Sequence, residues 1–213
     1  MRLLAYVEGS KEHKNLSIQP ANQEEVKASW LRLLSLPRKV NPALDFTGRN
    51  CQVGQTSDKL WFLQSTLGGS VSRACTIPPG RPIICNVLSC ELSDPELSDE
   101  EHAEYELEQR TKAALDKVDP KTLNFEVDND KRVIDVNDWK KYKVQTPTTY
   151  VVLPYNNLFR VRPGLTRFAS YGFYVKLTGL HPGHHTLFFG GVIPGPDKVP
   201  TFETSATYSL NQL

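Results

Sequence analysis

The chain has 213 residues, of which 39% are hydrophobic and 23% are charged, and its formal net charge is +1. This length suits a single domain with a substantial core. The balance of 25 basic against 24 acidic residues gives no electrostatic footprint for nucleic acid or an anionic membrane. No stretch approaches the roughly 18 consecutive apolar residues of a membrane span. We therefore expect neither a nucleic-acid partner nor a membrane span.

Residues 1–21 are expected to form an N-terminal arm or an edge segment. An apolar run of about five residues opens the chain, but Glu8 and Lys11 follow it, whereas a secretory signal has about 7–15 apolar residues. We therefore expect no export signal in this chain, and the sequence leaves the cellular location undetermined.

The first predicted helix spans residues 22–36. Asn22 is a good N-cap, and Glu25 stands three residues later as its capping-box partner. One face of the helix is apolar and consists of Val26, Trp30, Leu33 and Leu34. Pro37 ends the helix, and residues 41–55 contain turn-forming Asn-Pro and Thr-Gly pairs that predict a loop.

After this loop the period of the apolar residues changes to that of strands. Residues 60–66, 71–77 and 82–88 are predicted as three strands separated by glycine and proline turns, which is typical of a meander. Further strands are predicted at residues 123–127 and 132–136 as a hairpin, and at 142–145, 148–153, 168–177, 186–190 and 202–210. The pattern predicts that residues 22–213 form one mainly β domain, an antiparallel β-sandwich or jelly roll with two attached helices.

An acidic helical insertion interrupts the strands at about residues 91–120. Ser98 with Glu101 forms a second capping box, and the apolar stripe that follows predicts a helix over about residues 98–118. Nine carboxylates lie within residues 91–108 without a Lys or Arg among them. A solvated helix face is the favoured interpretation, because acidic residues stabilise the start of a helix. The alternative is a calcium site, for which the D-x-D-x-D-G spacing is missing.

Three histidines surround a Pro-Gly turn near the C-terminus. His181, His184 and His185 could bind a metal, since imidazole suits zinc, copper and nickel. Alternation along the following strand places His185 on the core side and His184 on the other, so one metal cannot easily take both. A structural histidine at the turn is the simpler interpretation, and a metal or ligand site is the alternative.

The motifs of nucleophilic catalysis and of phosphate loops are missing. The chain contains no G-x-S-x-G, G-x-G-x-x-G or G-x-x-x-x-G-K-[ST] sequence. Arg160, Arg162 and Arg167 form a locally basic segment that could grip a carboxylate or a phosphate. A solvated loop is the simpler interpretation of the same arginines.

The cysteines do not define a redox compartment. Four of them, at positions 51, 75, 85 and 90, are too few for a disulfide scaffold, and their spacing does not fit a zinc site. From the residues alone, buried thiols on strands are a sufficient interpretation.

Two series of motifs stand out by their order and spacing. The first runs Asn41-Pro-x-x-Asp45-x-Thr47-Gly48-x-x-Cys51, Gln55, Trp61-Phe-Leu, Gly68-Gly69 and Arg73-x-Cys75-Thr-Ile-Pro78-x-Gly80. The second runs Tyr142-Lys-Val-Gln-Thr-Pro147, Leu153-Pro-x-Asn-Asn157, Gly172-Phe-Tyr174 and Leu180-x-Pro-Gly-x-His185-Thr-Leu-x-Phe189-x-Gly191. Together they resemble a bacterial and archaeal family of uncharacterised, usually secreted proteins. The resemblance names no chemistry, because the family has no established activity.

This resemblance implies a disulfide between Cys51 and Cys75, and it leaves Cys85 and Cys90 as free thiols. It also implies that relatives are usually secreted or periplasmic. The other matched residues are interpreted as anchors of the core and the loops, namely Asp45, Thr47, Trp61, Arg73 and His185.

Two functional hypotheses from different classes follow. The first is a non-catalytic β-sandwich protein that binds a ligand or a partner. The second is a hydrolase or metal-dependent enzyme that uses His185 with Asp45 or Arg73, which requires His185 in a concave pocket within reach of a carboxylate or thiol. The fold itself favours neither. No cofactor is expected, the partner is unidentified, and a homo-oligomer stays open.

Overall fold

The helices and strands follow the periods of the sequence. The computed structural model of the chain describes residues 16–55, 59–97, 106–129, 134–195 and 201–213. The α-helices within these ranges are α1 (Gln23–Leu34) and α2 (Leu107–Leu115). The strands are β1 (Ser17–Pro20), β2 (Trp61–Gln64), β3 (Gly69–Ile77), β4 (Ile83–Ser93), β5 (Asn124–Val127), β6 (Lys143–Gln145), β7 (Thr149–Leu153), β8 (Gly164–Thr178), β9 (Gly183–Ile193) and β10 (Phe202–Gln212). No helix in these ranges is long and apolar enough to cross a membrane.

Helix α1 begins where the sequence predicts and packs on one face of a sheet. Asn22 Oδ1 accepts a hydrogen bond from Glu25 N (3.0 Å), and Glu25 Oε2 accepts one from Asn22 N (2.9 Å), so both halves of the capping box are present. The apolar face of the helix is buried against Phe62 and Tyr174. Trp30 fixes the helix further, because its Nε1 donates to Tyr174 Oη at 2.8 Å.

The larger sheet, sheet A, is organised around the long strand β8. Strand β4 pairs along one edge of β8, and β7, β6 and β1 pair in turn along the other, all antiparallel. Strand β2 adds to the far edge of β4 in parallel. Residues 17–20, which fall in the predicted arm or edge segment, are therefore a strand of this sheet.

The smaller sheet, sheet B, has the strand order β3-β10-β9-β5 and faces sheet A. The inner faces of the two sheets enclose the main core, which includes Leu63, Phe173, Phe189 and Tyr208. Helix α2 packs against β4 and β8 and adds Leu115 to the same core. Helix α1 covers the opposite face of sheet A, so the prediction of a mainly β, sandwich-like fold with attached helices is confirmed.

The predicted meander is wrong. Strands β2 and β4 are parallel neighbours in sheet A, whereas β3, which lies between them in the chain, belongs to sheet B. A second parallel pair joins β3 to β10, so both sheets are mixed and not wholly antiparallel. The physical reason is that apolar alternation reports which faces of a strand are buried and not which strand lies beside it.

The second strand of the predicted hairpin after β5, residues 132–136, is no strand over its described part, residues 134–136. Strand β5 pairs with β9. The segment Val136–Tyr142 is a 3₁₀ helix, and it begins at the last residue of the predicted strand 132–136. The side chain of Asp135 starts that helix by accepting a hydrogen bond from Asn137 N at 2.8 Å. Residues 130–133 lie outside the described residues.

The acidic segment is only partly a helix face. Glu91 is buried in β4, Glu96 caps the turn that follows it, and Asp94 pairs with Arg167 of β8. Burial, and then the neighbouring Glu96, raise the pKa of Glu91 well above its ordinary value. The predicted capping box falls in residues 98–105, which lie outside the described residues.

Candidate functional site

His185 is buried near the start of β9, on the face that alternation predicts. Its Nδ1 lies 2.7 Å from Asp128 Oδ2, and its Nε2 lies 2.8 Å from the carbonyl oxygen of His181. The other Asp128 oxygen accepts a hydrogen bond from Thr186 N at 2.7 Å. A carbonyl oxygen only accepts, so Nε2 donates the hydrogen bond to the carbonyl of His181.

Both ring nitrogens of His185 are engaged within the protein, so neither is available to a substrate. The His185 side chain is 0% exposed, and acceptors stand at both of its nitrogens. Arg73 lies on β3, which β10 separates from β9. Because a general base must reach the proton it removes, the arrangement supports a structural role, in which His185 ties the turn before β9 to Asp128 after β5.

The neighbouring histidines differ in their exposure. His181 is half-buried, and its ring packs edge-on against His185 with 4.5 Å between the centroids. His184 is exposed, as alternation along β9 predicts. In the part of the chain that the structure describes, no three His, Cys, Asp or Glu side chains are placed to hold a metal ion.

Arg73 is buried on β3, where its guanidinium binds backbone carbonyls. Its Nε donates to Asp45 O (2.6 Å) and its Nη2 to Ala43 O (3.3 Å). Its Nη1 donates to Gln64 O (2.5 Å) and to Tyr208 Oη (2.7 Å). The acceptors of the loop and of the end of β2 thus replace the water that the guanidinium loses on burial, which offsets the desolvation cost of its charge.

A second buried arginine, Arg32 of α1, holds the other end of the same loop. Its Nε donates to Val53 O (2.9 Å), and its Nη2 donates to Cys51 O (3.0 Å). Desolvation by burial lowers the pKa of Arg32 to about 10. Sequence reasoning missed this residue, because an arginine on an amphipathic helix normally lies on the solvated face.

The disulfide between Cys51 and Cys75 closes the loop covalently onto β3. Its Cα atoms are 6.0 Å apart, and the pairing implied by the resemblance is confirmed. Cys85 and Cys90 are free thiols. Burial raises the pKa of Cys85, and burial together with Glu91 raises that of Cys90 to about 12, so neither thiol is poised as a nucleophile.

The interior of the loop, residues 41–55, is held by residues of the first motif series. Asp45 accepts hydrogen bonds from Thr47 N (2.9 Å) and Asn50 N (2.7 Å). Burial acts to raise the pKa of Asp45, but hydrogen bonds from Asn50, Thr47 and Gly48 outweigh it and lower the pKa. Gly48 has φ +90°, and a Cβ there would lie 2.0 Å from Ala74 O. We call residues 41–55 the anchored loop, since its motif builds a structural element.

Strand β7, in contrast, has an edge with which no strand of the described residues pairs. Arg167 of β8 donates its backbone N–H to Asp94 Oδ2 (3.1 Å), on the β4 side of the strand. Consecutive residues of an antiparallel ladder alternate between its two edges. Tyr150, which pairs with Arg167, and Val152 therefore direct their N–H and C=O groups away from β8. Among the described residues, no hydrogen bond reaches these groups.

The side chains along this edge are apolar and exposed. Tyr150 and Val152 are each 64% exposed, and Leu165, which pairs with Val152, is 72% exposed. Val151 and Leu153 alternate with them and are buried beneath α1. Natural sheet edges usually carry charges, proline or a cover, and β7 carries no charged residue.

A groove of about 610 Å³ adjoins the edge. Leu97 and Leu165 contribute apolar walls, and Arg162 contributes a positive charge. The acidic residue of the groove, Asp94, is paired with Arg167 through two hydrogen bonds of 3.1 and 3.0 Å. Arg162 is therefore the one positively charged side chain among the described residues that line the groove.

The loop between β7 and β8 presents two arginines in a fixed conformation. The buried Asn157 donates from Nδ2 to Val161 O (2.7 Å) and accepts from Val161 N (3.1 Å). Within this clamp Arg160 has φ +61°, a left-handed conformation that is costly for a residue other than glycine. Arg160 and Arg162 are exposed, and no hydrogen bond or ion pair from the described residues holds either guanidinium. We define the β7 surface as Tyr150, Val152, Arg160, Arg162 and Leu165.

Sequence reasoning found the parts of the β7 surface without joining them. Residues 148–153 are predicted as a strand, and Arg160, Arg162 and Arg167 as a basic segment. Within the described residues, Arg167 is the one of the three that is paired with an acid. The available signal was a run of uncharged residues between two prolines, which is compatible with an edge strand.

Comparison with known proteins adds no functional assignment. No protein-family model matches the chain, and no curated protein matches it. Among solved structures, the solution structure of amebosin is similar at 15% sequence identity over 74% of this chain and 100% of the amebosin chain, with a TM-score of 0.24. A similarity this low carries no argument, so the proposals below rest on the geometry of this chain.

Proposed function

We propose that this protein is a non-catalytic β-sandwich protein that binds a partner protein by accepting an extended segment of that partner on the β7 surface. The observation that carries the proposal is the unpaired edge of β7, where Tyr150 and Val152 offer backbone donors and acceptors between exposed apolar side chains. Strand addition is a recurring mode of peptide recognition, in which backbone hydrogen bonds supply affinity and alternate side chains supply specificity.

The chemistry of the β7 surface specifies the segment it accepts. Alternate side chains of an added strand lie on the same face as Tyr150, Val152 and Leu165, which favours apolar residues at those positions. Arg160 and Arg162 favour carboxylates, because a charge-assisted hydrogen bond to a guanidinium is stronger than a neutral one. We therefore propose an extended segment with apolar residues at alternate positions and a carboxylate at the end that lies near Arg160 and Arg162.

A second copy of this chain is a weaker candidate for the same edge. Strand β7 itself contains no carboxylate that could meet Arg160 or Arg162 in a symmetric pair. Glu108, which lies beside the start of β7, already accepts a hydrogen bond from Thr148 N at 2.6 Å. Charge complementarity thus favours a different protein as the occupant.

The test uses a synthetic probe peptide of about eight residues, with Val at alternate positions, Glu at both ends and blocked termini. We expect the backbone amide signals of Tyr150 and Val152 to shift saturably in NMR spectra of the isotope-labelled protein. A peptide with Lys in place of every Glu is the matched control and should bind at least about tenfold more weakly at low salt.

Two variants separate the backbone and charge contributions. Val152→Pro removes an outward N–H without removing a hydrogen bond to β8, so it should abolish peptide binding while the fold persists. Arg162→Glu should weaken binding, whereas Lys121→Glu, an exposed charge reversal on another turn, should not. Unchanged binding in both Val152→Pro and Arg162→Glu would refute the proposal. A dimer that sediments as such and dissociates in Val152→Pro would instead make a second copy the occupant.

A further inference from the structure

One buried side chain closes the loop between β7 and β8. Asn157 is 1% exposed, and its Nδ2 donates to Pro154 O (3.1 Å) and to Val161 O (2.7 Å), while its Oδ1 accepts from Val161 N (3.1 Å). Pro154 directly follows the last residue of β7, and Val161 lies between Arg160 and Arg162. Because a single amide group reaches both carbonyls, the two arginines are held beside the C-terminal end of β7.

The segment after α1 holds the same loop from outside. Arg38 N donates to Asn156 O at 2.6 Å, and Arg38 Nη1 donates to Leu158 O. Leu158 is 1% exposed and belongs to the core beneath α1. The residues on both sides of Asn157 are thus fixed, and the Asn157 side chain keeps its orientation toward Pro154 and Val161.

The backbone of this loop is strained at Arg160. Its φ is +61°, and its N–H donates to Asn157 O at 3.3 Å. Glycine adopts this conformation freely, whereas a residue with a Cβ is strained in it. The exposed guanidinium of Arg160 makes no hydrogen bond or ion pair with the described residues, so no contact of this side chain within them offsets the strain. Strained backbone of this kind clusters at ligand clamps and other functional sites.

We infer that Asn157 is a positioning residue of the β7 surface, which holds Arg160 and Arg162 where they meet a carboxylate at one end of the added segment. This inference rests on the proposed strand addition and names the residue that sets its charge preference. Guanidiniums that are already in place bind a carboxylate more tightly than mobile ones, because less conformational freedom is lost on binding. Loss of the Asn157 side chain therefore weakens recognition of the carboxylate and leaves the backbone pairing with Tyr150 and Val152 intact.

The test compares the probe peptide with a matched peptide that has Ser in place of each Glu, the serine probe. Both are titrated at low salt, and binding is followed by the NMR shifts of Tyr150 and Val152. The wild-type chain should bind the probe peptide about tenfold more tightly than the serine probe, the ratio expected for one charge-assisted hydrogen bond. Asn157→Ala should reduce this ratio to about twofold or less and leave the dissociation constant of the serine probe unchanged.

The matched control is a buried asparagine of the anchored loop. Asn41 is 0% exposed, its Nδ2 donates to Leu33 O (2.7 Å), and its Oδ1 accepts from Ala43 N (3.1 Å). Asn41→Ala removes a comparable set of buried hydrogen bonds and should keep the wild-type preference for the probe peptide. If Asn157→Ala keeps that preference as well, the role of Asn157 is structural alone and the inference is overturned.

A second variant covers the case in which Asn157→Ala does not fold. Arg160→Gly keeps the left-handed turn without strain and removes the guanidinium, so the preference for the probe peptide should fall while the melting temperature does not. An unchanged preference in Arg160→Gly overturns the inference, because the strained residue then places no charge at the segment. A wild-type chain that binds both peptides equally overturns it too but leaves strand addition in place. A wild-type chain that binds neither peptide overturns the proposed function itself.

Discussion

The anchored loop and the β7 surface differ in how far their polar groups are satisfied, and the irregular region is the better satisfied of the two. The anchored loop contains no strand, yet two buried arginines, a disulfide and the Asp45 hydrogen bonds satisfy its polar groups. Strand β7 is regular, yet one of its edges has no pairing partner among the described residues, and apolar side chains along it are exposed. Regular backbone geometry therefore does not show whether the hydrogen-bonding groups of a segment have partners. Unsatisfied groups mark the place where something can bind.

The largest expected effect comes from removing the buried guanidinium of the anchored loop. Arg73→Met leaves the carbonyls of Ala43 and Asp45 without their donor, whereas Gln64 O keeps a hydrogen bond from Tyr208 Oη at 2.8 Å. Because each buried acceptor that loses its donor costs about 1–3 kcal/mol, we expect the free energy of unfolding to fall by about 4 kcal/mol. Urea denaturation measures it.

The matched control for this prediction lies on the β7 surface. Arg162→Met removes an exposed guanidinium and should change the free energy of unfolding by less than about 0.5 kcal/mol. If the two substitutions destabilised the chain equally, the contrast between the anchored loop and the β7 surface would not hold.

The next largest effect concerns the disulfide. Cys51 and Cys75 are separated by 24 positions in the sequence. In the chain-entropy model, cross-linking a loop of this length stabilises the folded state by about 3.5 kcal/mol. Adding a reductant should lower the free energy of unfolding of the oxidised wild-type chain by this order, and it should not affect a Cys51→Ala/Cys75→Ala variant. A wild-type chain that is equally stable with and without reductant would count against the cross-link.

A smaller effect is expected at the carboxylate of the anchored loop, and it depends on pH. The pKa of Asp45 lies below its ordinary value of 3.8, so the unfolded state binds this proton more tightly than the folded state. Its contribution is therefore present above a pH of about 4 and is lost as the pH falls through the folded pKa. Asp45→Asn should cost about 1 kcal/mol at neutral pH, as the loss of a capping carboxylate does.

The direction of this pH dependence is checked by measuring the free energy of unfolding of the wild type and of Asp45→Asn across the acid range. The difference between the two should close as the pH falls below about 4. A difference that stays constant down to the acid limit would mean that the carboxylate charge plays no part in holding the loop.

The smallest effect leaves stability unchanged and concerns backbone amides. The N–H of Val151 is directed to β8, whereas that of Val152 is directed to solvent. In native-state hydrogen exchange, we expect Val152 and Tyr150 to exchange roughly a hundredfold or more faster than Val151. Equal protection of the three amides would show that the edge is already covered. The probe peptide should slow the exchange of Tyr150 and Val152 alone.

Much of the fold could be predicted from the sequence, but the strand neighbours could not. The capping box at Asn22 and the apolar periods give α1 and most strands, because both signals are local. The meander failed because pairing β2 with β4 depends on contacts between distant residues. Residues 132–136 have the composition of a strand, but their described part, residues 134–136, is no strand, because Asp135 accepts a hydrogen bond from Asn137 N and starts a 3₁₀ helix.

The candidate sites divide in the same way. Alternation along β9 correctly separates the buried His185 from the exposed His184, since it depends only on the period of a strand. The partner of His185, Asp128, comes from another strand end and has no local signal.

By itself, the sequence determined which faces are buried and where helices, strands and turns begin. These follow from side-chain spacing, proline, glycine and capping residues, which act within a few positions along the chain. Only the tertiary structure decided that Arg32 and Arg73 are buried in the anchored loop, that Cys51 meets Cys75, and that β7 lies at an open edge. Each of these depends on which distant segments are brought together, because hydrogen bonds and burial are satisfied through space and not along the chain.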